Sequence, residues 1–158
     1  MEVTIKRPID CSYSEITSFV DLVKEGGEVS TAGLVDRVRS AQALCFIQDK
    51  AFVAVGAIKK PNVNYKARVF SKAGAKNDNN YKYELGWLYV TSSARGNGYG
   101  AALMKAIKGA LPDGGCFATT RKNNTAMHHL LEKFGFKIIG RPYKSENGNY
   151  NLTLYATS

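Results

Sequence analysis

The chain has 158 residues, 44% of them apolar, enough for one domain spanning 1–158 with a real core and too apolar for a disordered tail. Its formal charge is +9, from 22 basic and 13 acidic side chains, so an anionic ligand is expected; the basic residues are scattered and make no dedicated nucleic-acid surface. No apolar run nears the roughly 18 residues that span a bilayer, no secretory stretch opens the chain, and Cys11, Cys45 and Cys116 lack metal or redox spacing, so a cytoplasmic protein with reduced thiols, no metal and no membrane partner is expected.

In chain order, residues 3–6 read as a strand ended by Pro8. Ser12 and Glu15 make a capping box for a first helix with an apolar face of Ile16, Phe19, Val20 and Val23, closed by Gly26 and Gly27. Thr31 is placed to cap a second helix carrying Leu34, Val35 and Val38. Residues 43–48 and 51–59 are apolar strands joined by Asp49-Lys50 as a tight hairpin, and Pro61 ends the second. Residues 65–73 suit a short helix with Val69 and Phe70 inward. A polar loop follows over 74–80, with Asn77-Asp78-Asn79-Asn80 as its turn signal.

The chain is organised around residues 83–104. Aromatic and branched residues over 83–90 predict a strand, and Thr91 to Ala94 a polar turn. Then come Arg95 and glycines at 96, 98 and 100, followed by Leu103, Ala106, Ile107, Ala110 and Leu111 at helix spacing until Pro112-Asp113-Gly114-Gly115 stops the run. Strand, glycine turn and helix together suit a phosphate. Glycine lets backbone approach the ligand, the first-turn N–H groups and the helix dipole favour an anion, and Arg95 adds a positive fork. A Walker A loop is excluded because no Gly-Lys-Ser/Thr follows. The dinucleotide fingerprint is met formally by Gly96-x-Gly98-x-x-Ala101, but the acidic residue expected about 20 positions on is missing: the next strand, 116–120, ends in Arg121. Asn124 starts another helix, and strands over 136–140 and 150–155 follow, linked by a turn around Glu146-Asn147-Gly148-Asn149.

Val90-x-x-x-x-Arg95-Gly96-x-Gly98-x-Gly100-x-x-Leu103 resembles the acyl-CoA pyrophosphate loop of the GNAT superfamily of N-acyltransferases. Residues 124–136, an Asn-initiated helix ending Glu132-Lys133-Phe134-Gly135-Phe136, resemble that family's later motif, so the likeness spans roughly 43–156. It implies an α/β fold with a central mixed sheet of about seven strands and about four helices, acetyl-CoA as co-substrate without a metal, and direct acyl transfer to an amine.

The likeness also distributes roles. Arg95, Gly96, Asn97, Gly98, Tyr99 and Gly100 would hold the pyrophosphate, and the backbone of Leu88, Tyr89 and Val90 the pantetheine arm and thioester, with preorganised donors at the developing oxyanion. Asn124 would contact CoA while capping its helix. Glu84, six residues before Val90, is the candidate general base, directly or through a water, or else a solvent-facing glutamate at a strand entrance; with period two it shares a face with Gly86, Leu88 and Val90. The opposite face would carry Tyr83, Leu85, Trp87 and Tyr89, with Trp87 as core. Leu131 stands where many members carry a tyrosine acid, so no acid is assigned. His128 shares a helix face with Asn124 and Leu131 and is a candidate donor, while His129 points elsewhere. The stretch 62–82 either borders the acceptor, through Tyr65, Lys66 and Arg68, or is a solvated connection. No cysteine falls in either motif, which argues against a covalent route.

The acceptor amine is unread: small molecules, protein amines and aminoacyl-tRNA all fit, the last being the sole nucleic-acid partner considered. Edge strands near the C-terminus could support a homodimer. A CoA-binding protein without catalysis and an NAD(P)-binding oxidoreductase are the alternatives.

Overall fold

A computed structural model describes residues 2–158, a mixed α/β chain of eight strands and five α-helices among those residues. The elements are β1 (Val3–Lys6), α1 (Tyr13–Gly26), α2 (Leu34–Arg39), β2 (Ala43–Asp49), β3 (Ala51–Lys59), α3 (Val63–Ala73) and β4 (Tyr83–Val90). They continue with α4 (Tyr99–Ala110), β5 (Cys116–Arg121), α5 (Thr125–Lys133), β6 (Lys137–Ile138), β7 (Tyr143–Lys144) and β8 (Asn151–Thr157). The chain divides into two compact units. One runs through Lys59 and takes in Leu85–Leu111; the other comprises Lys60–Glu84 and Pro112–Ser158.

In the first unit β1, β2 and β3 form an antiparallel ladder, and β4 adjoins β3. The capping box that opens α1 is complete: the Glu15 N–H donates to Ser12 Oγ at 3.1 Å, and the Ser12 N–H to Glu15 Oε1 at 2.9 Å. Gly27, at φ 72°, ends the helix in the left-handed conformation. The face of Ile16, Phe19, Val20 and Val23 is buried against β-sheet residues including Leu44, Phe46 and Val55. Each such side chain contributes about 1.5–3 kcal/mol, so α1 is held by packing more than by intrinsic propensity. Gly56 marks a close approach: a Cβ there would lie 2.8 Å from Leu88 Cδ1 and 3.1 Å from Ile107 Cδ1, so β3 admits β4 and α4 only with glycine.

Three local expectations change in this unit. Thr31 does not cap α2; the N-cap is Gly33, at φ 65°, with no side-chain cap, and the short helix is held by the buried Leu34 and Val38. Val35 faces out at 45% exposure, because six residues present only one buried stripe. Asp49 belongs to β2, paired with Ala51, so Lys50 alone makes the reversal at φ 64°, and the extra length is taken up by a bulge between Ile47 and Gln48.

In the second unit Tyr83 and Glu84, the first residues of β4, pair in parallel with Cys116 and Phe117 of β5. β5 runs antiparallel to β8 from Cys116↔Thr157 to Arg121↔Leu152, and β6 and β7 both pair antiparallel with β8. Val69, Phe70 and Ala73 of α3 pack with Phe117, Tyr143, Leu154 and Ala156. α3 starts at Val63, two residues before the expected 65, because the Asn62 side chain accepts the N–H groups of Asn64 and Tyr65. The strand expected over 136–140 shrinks to Lys137–Ile138, since Gly140 at φ 69° turns the chain against the Ala73 carbonyl. β7, two residues long, is the strand the seven-strand expectation lacked, and with the short helix read over 65–73 present as α3 the helices number five against about four.

Candidate active site

The last turn of β4 departs from regular strand geometry. Trp87 has φ 55°, a strained value for a bulky residue that costs on the order of 1–3 kcal/mol and persists only where the surroundings over-determine it. Here they do: the ring is 8% exposed, meets Phe19 edge-on at 6.2 Å, and carries Lys59 Nζ 4.6 Å from its centroid. Core packing of Trp87 is therefore observed. The strict alternation read from Glu84 to Val90 is not, because a left-handed residue at 87 interrupts the extended run.

Beyond it the chain is tied down residue by residue. The Thr91 N–H donates to the Val53 carbonyl at 2.9 Å, and Ser92–Ala94 form a single 3-10 turn. Arg95 Nε donates to the Val90 carbonyl at 3.3 Å, and the Asn97 amide nitrogen to the Ala94 carbonyl at 2.8 Å. Gly96 and Gly98 then take φ 84° and 76°, and a Cβ on either would meet no atom within 4 Å. Gly98 is the N-cap of α4 and supplies no side chain to the helix, whose buried Leu103, Met104 and Ile107 anchor it below. The result is a twelve-residue helix with an open, glycine-bordered N-terminus carrying roughly half a positive charge, beside Arg95. Glycine at 96 and 98 leaves this N-terminus open, and its unpaired N–H groups and dipole favour an anion. Leu88, Tyr89, Val90 and the whole stretch 95–100 thus lie in one continuous segment of the first unit. Tyr89 donates its hydroxyl to Glu25 Oε2 at 2.8 Å, and this bond, then burial, raises the hydroxyl above its ordinary value.

Glu84 belongs to the second unit, and it is 3% exposed. Tyr65, in the first turn of α3, donates its hydroxyl to Glu84 Oε2 at 3.0 Å. Burial first, and the Glu84 charge second, push the Tyr65 hydroxyl far above its usual range. Tyr143 is raised by the same two causes in the same order, and its buried hydroxyl has no hydrogen-bond partner among the described residues. The β4–β5 ladder beside this carboxylate is two residue pairs long, against eight residues in β4.

The remaining candidates are placed as follows. Asn124 caps α5, its side chain accepting the Met127 N–H at 3.1 Å. Leu131 is fully buried and inert as an acid. His128 has both ring nitrogens engaged: Nε2 is 3.0 Å from the Arg121 carbonyl, which can only accept, and Nδ1 is 2.6 Å from the Tyr155 hydroxyl, itself 3.2 Å from Glu132. That arrangement anchors α5 to β5 and β8. Lys66 is buried with Nζ on the Tyr81 carbonyl at 3.1 Å, and Arg68 pairs with Glu146 at 3.2 Å, so of the three residues read along 62–82 only Tyr65 reaches the candidate base. Sequence reading missed Tyr143, because a two-residue strand after a proline has no periodicity to detect.

Comparison with known proteins gives this geometry a family. The acetyltransferase (GNAT) family model matches residues 37–136. No curated protein sequence matches the chain. Among solved structures, an acyl-CoA N-acyltransferase from Pseudomonas aeruginosa shares 17% identity over 99% of both chains, with a TM-score of 0.70. The protein yncA from Salmonella typhimurium, solved with its cofactor acetyl-CoA, shares 12% identity over 100% of this chain and 94% of that one, at a TM-score of 0.71. The ribosomal-protein-S18-alanine N-acetyltransferase from Escherichia coli shares 14% over 98% and 92%, at 0.66. The chain belongs to the GNAT family of acetyltransferases, with acetyl-CoA as the co-substrate, and has that family's fold. No helix among the described residues is long and apolar enough to cross a membrane.

Proposed function

We propose that the chain transfers an acetyl group from acetyl-CoA directly to a primary amine, residues 1–158 serving as one catalytic domain. The observation that carries this reading is the uncapped, glycine-bordered N-terminus of α4, which follows β4 with Arg95 at its entrance. Acetyl-CoA supplies the activated thioester. The N–H groups of the turn from Arg95 to Gly100 hold its pyrophosphate, and Asn124 adds a contact while capping α5. The backbone of Leu88, Tyr89 and Val90 supplies donors, for which the shortness of the β4–β5 ladder is the support. Glu84 takes the proton that the acceptor ammonium must lose before it can attack. Leu131 donates nothing, so the leaving thiolate takes its proton from solvent or from another group. Cys11, Cys45 and Cys116, far apart in sequence and without metal or redox spacing, support a reducing, cytoplasmic setting.

The test is release of free thiol from acetyl-CoA with spermidine, kanamycin, free amino acids, an alanyl-initiated hexapeptide and an aminoacyl-tRNA as acceptors. The peptide is included because the Escherichia coli neighbour bears an alanine N-acetyltransferase name. With the amine that is accepted, Glu84→Gln should lower kcat by roughly 100-fold or more while CoA affinity stays. Binding of CoA with no thiol release from any amine favours the second reading, a CoA-binding protein without catalysis, which the buried Leu131 motivates.

A further inference from the structure

We infer that Tyr65 is the residue that carries the acceptor's proton to Glu84; the inference rests on the reading of Glu84 as base. Glu84 is 3% exposed, so a solvent-borne ammonium does not meet its carboxylate directly. Tyr65 is partly exposed and touches that carboxylate, with its hydroxyl 3.0 Å from Oε2. Its position is fixed from two sides. The Asn62 side chain accepts its backbone N–H at 3.2 Å in the first turn of α3, and the Tyr65 side chain packs against the apolar cluster that includes Phe70 and Phe117. A phenol oxygen has one proton to give and lone pairs to receive. The proton faces Glu84, and a lone pair of the same oxygen is the acceptor an ammonium N–H would meet.

The step balances without a co-reactant. The ammonium N–H bond breaks as a new O–H bond forms on Tyr65, while the original Tyr65 O–H bond breaks and its proton bonds to Glu84 Oε2. The amine is left neutral with its lone pair, Tyr65 is neutral again, and Glu84 is protonated. Burial and the Glu84 charge disfavour a tyrosinate, so the two transfers occur together and no phenolate accumulates. The buried Tyr143 hydroxyl feels the same carboxylate, so two phenols of the second unit, Tyr65 and Tyr143, lie in the field of Glu84.

The experiment uses the full chain, acetyl-CoA and whichever amine of the panel is accepted, with Tyr65→Phe, Glu84→Gln and 2,3-difluorotyrosine at position 65. Tyr65→Phe should lower kcat roughly 100-fold with KM for acetyl-CoA unchanged. The wild-type rate in mixed light and heavy water should bow, reporting two protons in motion, and the variant's should be linear. Difluorotyrosine keeps the hydroxyl and the shape, so a change in kcat that follows phenol acidity separates proton transfer from mere positioning and decides the matter even if Tyr65→Phe folds poorly. If Tyr65→Phe keeps kcat and the same isotope effect while Glu84→Gln loses it, the relay is wrong and the base stands. If Glu84→Gln keeps kcat, or if no amine is turned over, the base reading fails and the relay with it.

Discussion

Replacing Gly98 with alanine separates what the glycine turn does for the fold from what it does for the ligand. At φ 76° an L-residue is held in the left-handed region, which costs roughly 1–2 kcal/mol, and since the new Cβ meets nothing within 4 Å no clash is added. For a chain of this size each kcal/mol is worth about 2–4 °C, so the midpoint of the ligand-free variant should fall by roughly 2–8 °C. Wild-type protein with CoA at about a hundred times its Kd gains roughly 2.7 kcal/mol, or about 5–10 °C. If the Cβ occupies the space of a phosphate oxygen and weakens binding 100-fold, the same CoA concentration gives only about 0.4 kcal/mol, or about 1–2 °C. Thermal unfolding with and without CoA reads both quantities. Gly33→Ala is the control: φ 65°, nothing within 4 Å, and a place at the N-cap of α2, so it should lower the ligand-free midpoint and keep the full CoA shift. A Gly98→Ala protein that is destabilised yet keeps the full CoA shift would refute the placing of the pyrophosphate on this turn.

Leu131→Tyr, which restores the family's usual acid type, should destabilise the fold by about 1–3 kcal/mol and leave kcat no higher, because position 131 is fully buried; a rise in kcat would mean the side chain reaches the thiolate. Glu15 is held below its ordinary 4.5, first by the Lys6 ammonium and then by the Ser12 N–H. A depressed carboxylate stabilises the fold above its unfolded pKa and loses that contribution as pH falls through the folded value. The unfolding midpoint should therefore drop as pH falls below 4.5, and more steeply than in Glu15→Gln. Iodoacetamide at mildly alkaline pH should label the partly exposed Cys11 first, with Cys45 and Cys116 reacting only at the rate of unfolding. Burial pushes the Cys45 thiol up to about 12, and peptide mapping would find early Cys45 label if that burial were wrong.

Much of this molecule is local, and local chemistry is legible. The capping box at Ser12 and Glu15 and the apolar stripe from Ile16 to Val23 are the sequence features that build α1, and they form as read. The glycine turn before α4 is legible for the same reason: backbone that must take positive φ admits few residues, so 96 and 98 declare themselves. Where the signal is short, reading fails. Six residues could not show that Val35 faces water, and two could not announce β7.

The sequence by itself determined the order of the elements other than β7, the glycine turn before α4 and the strand that carries Glu84, because caps, glycines and periodic apolar residues act within a few positions of themselves. Only the tertiary structure decided that Trp87 would sit at φ 55° and break the alternation of β4, since that strain is held by Phe19 and Lys59, distant in sequence. It also decided that Glu84 would be buried with the Tyr65 hydroxyl on its oxygen and Tyr143 close by, and that His128 would be spent on Tyr155 and Arg121. The physical reason is the same in each case. A side chain's burial and its hydrogen-bond partner are set by residues many positions away, and only packing brings those together.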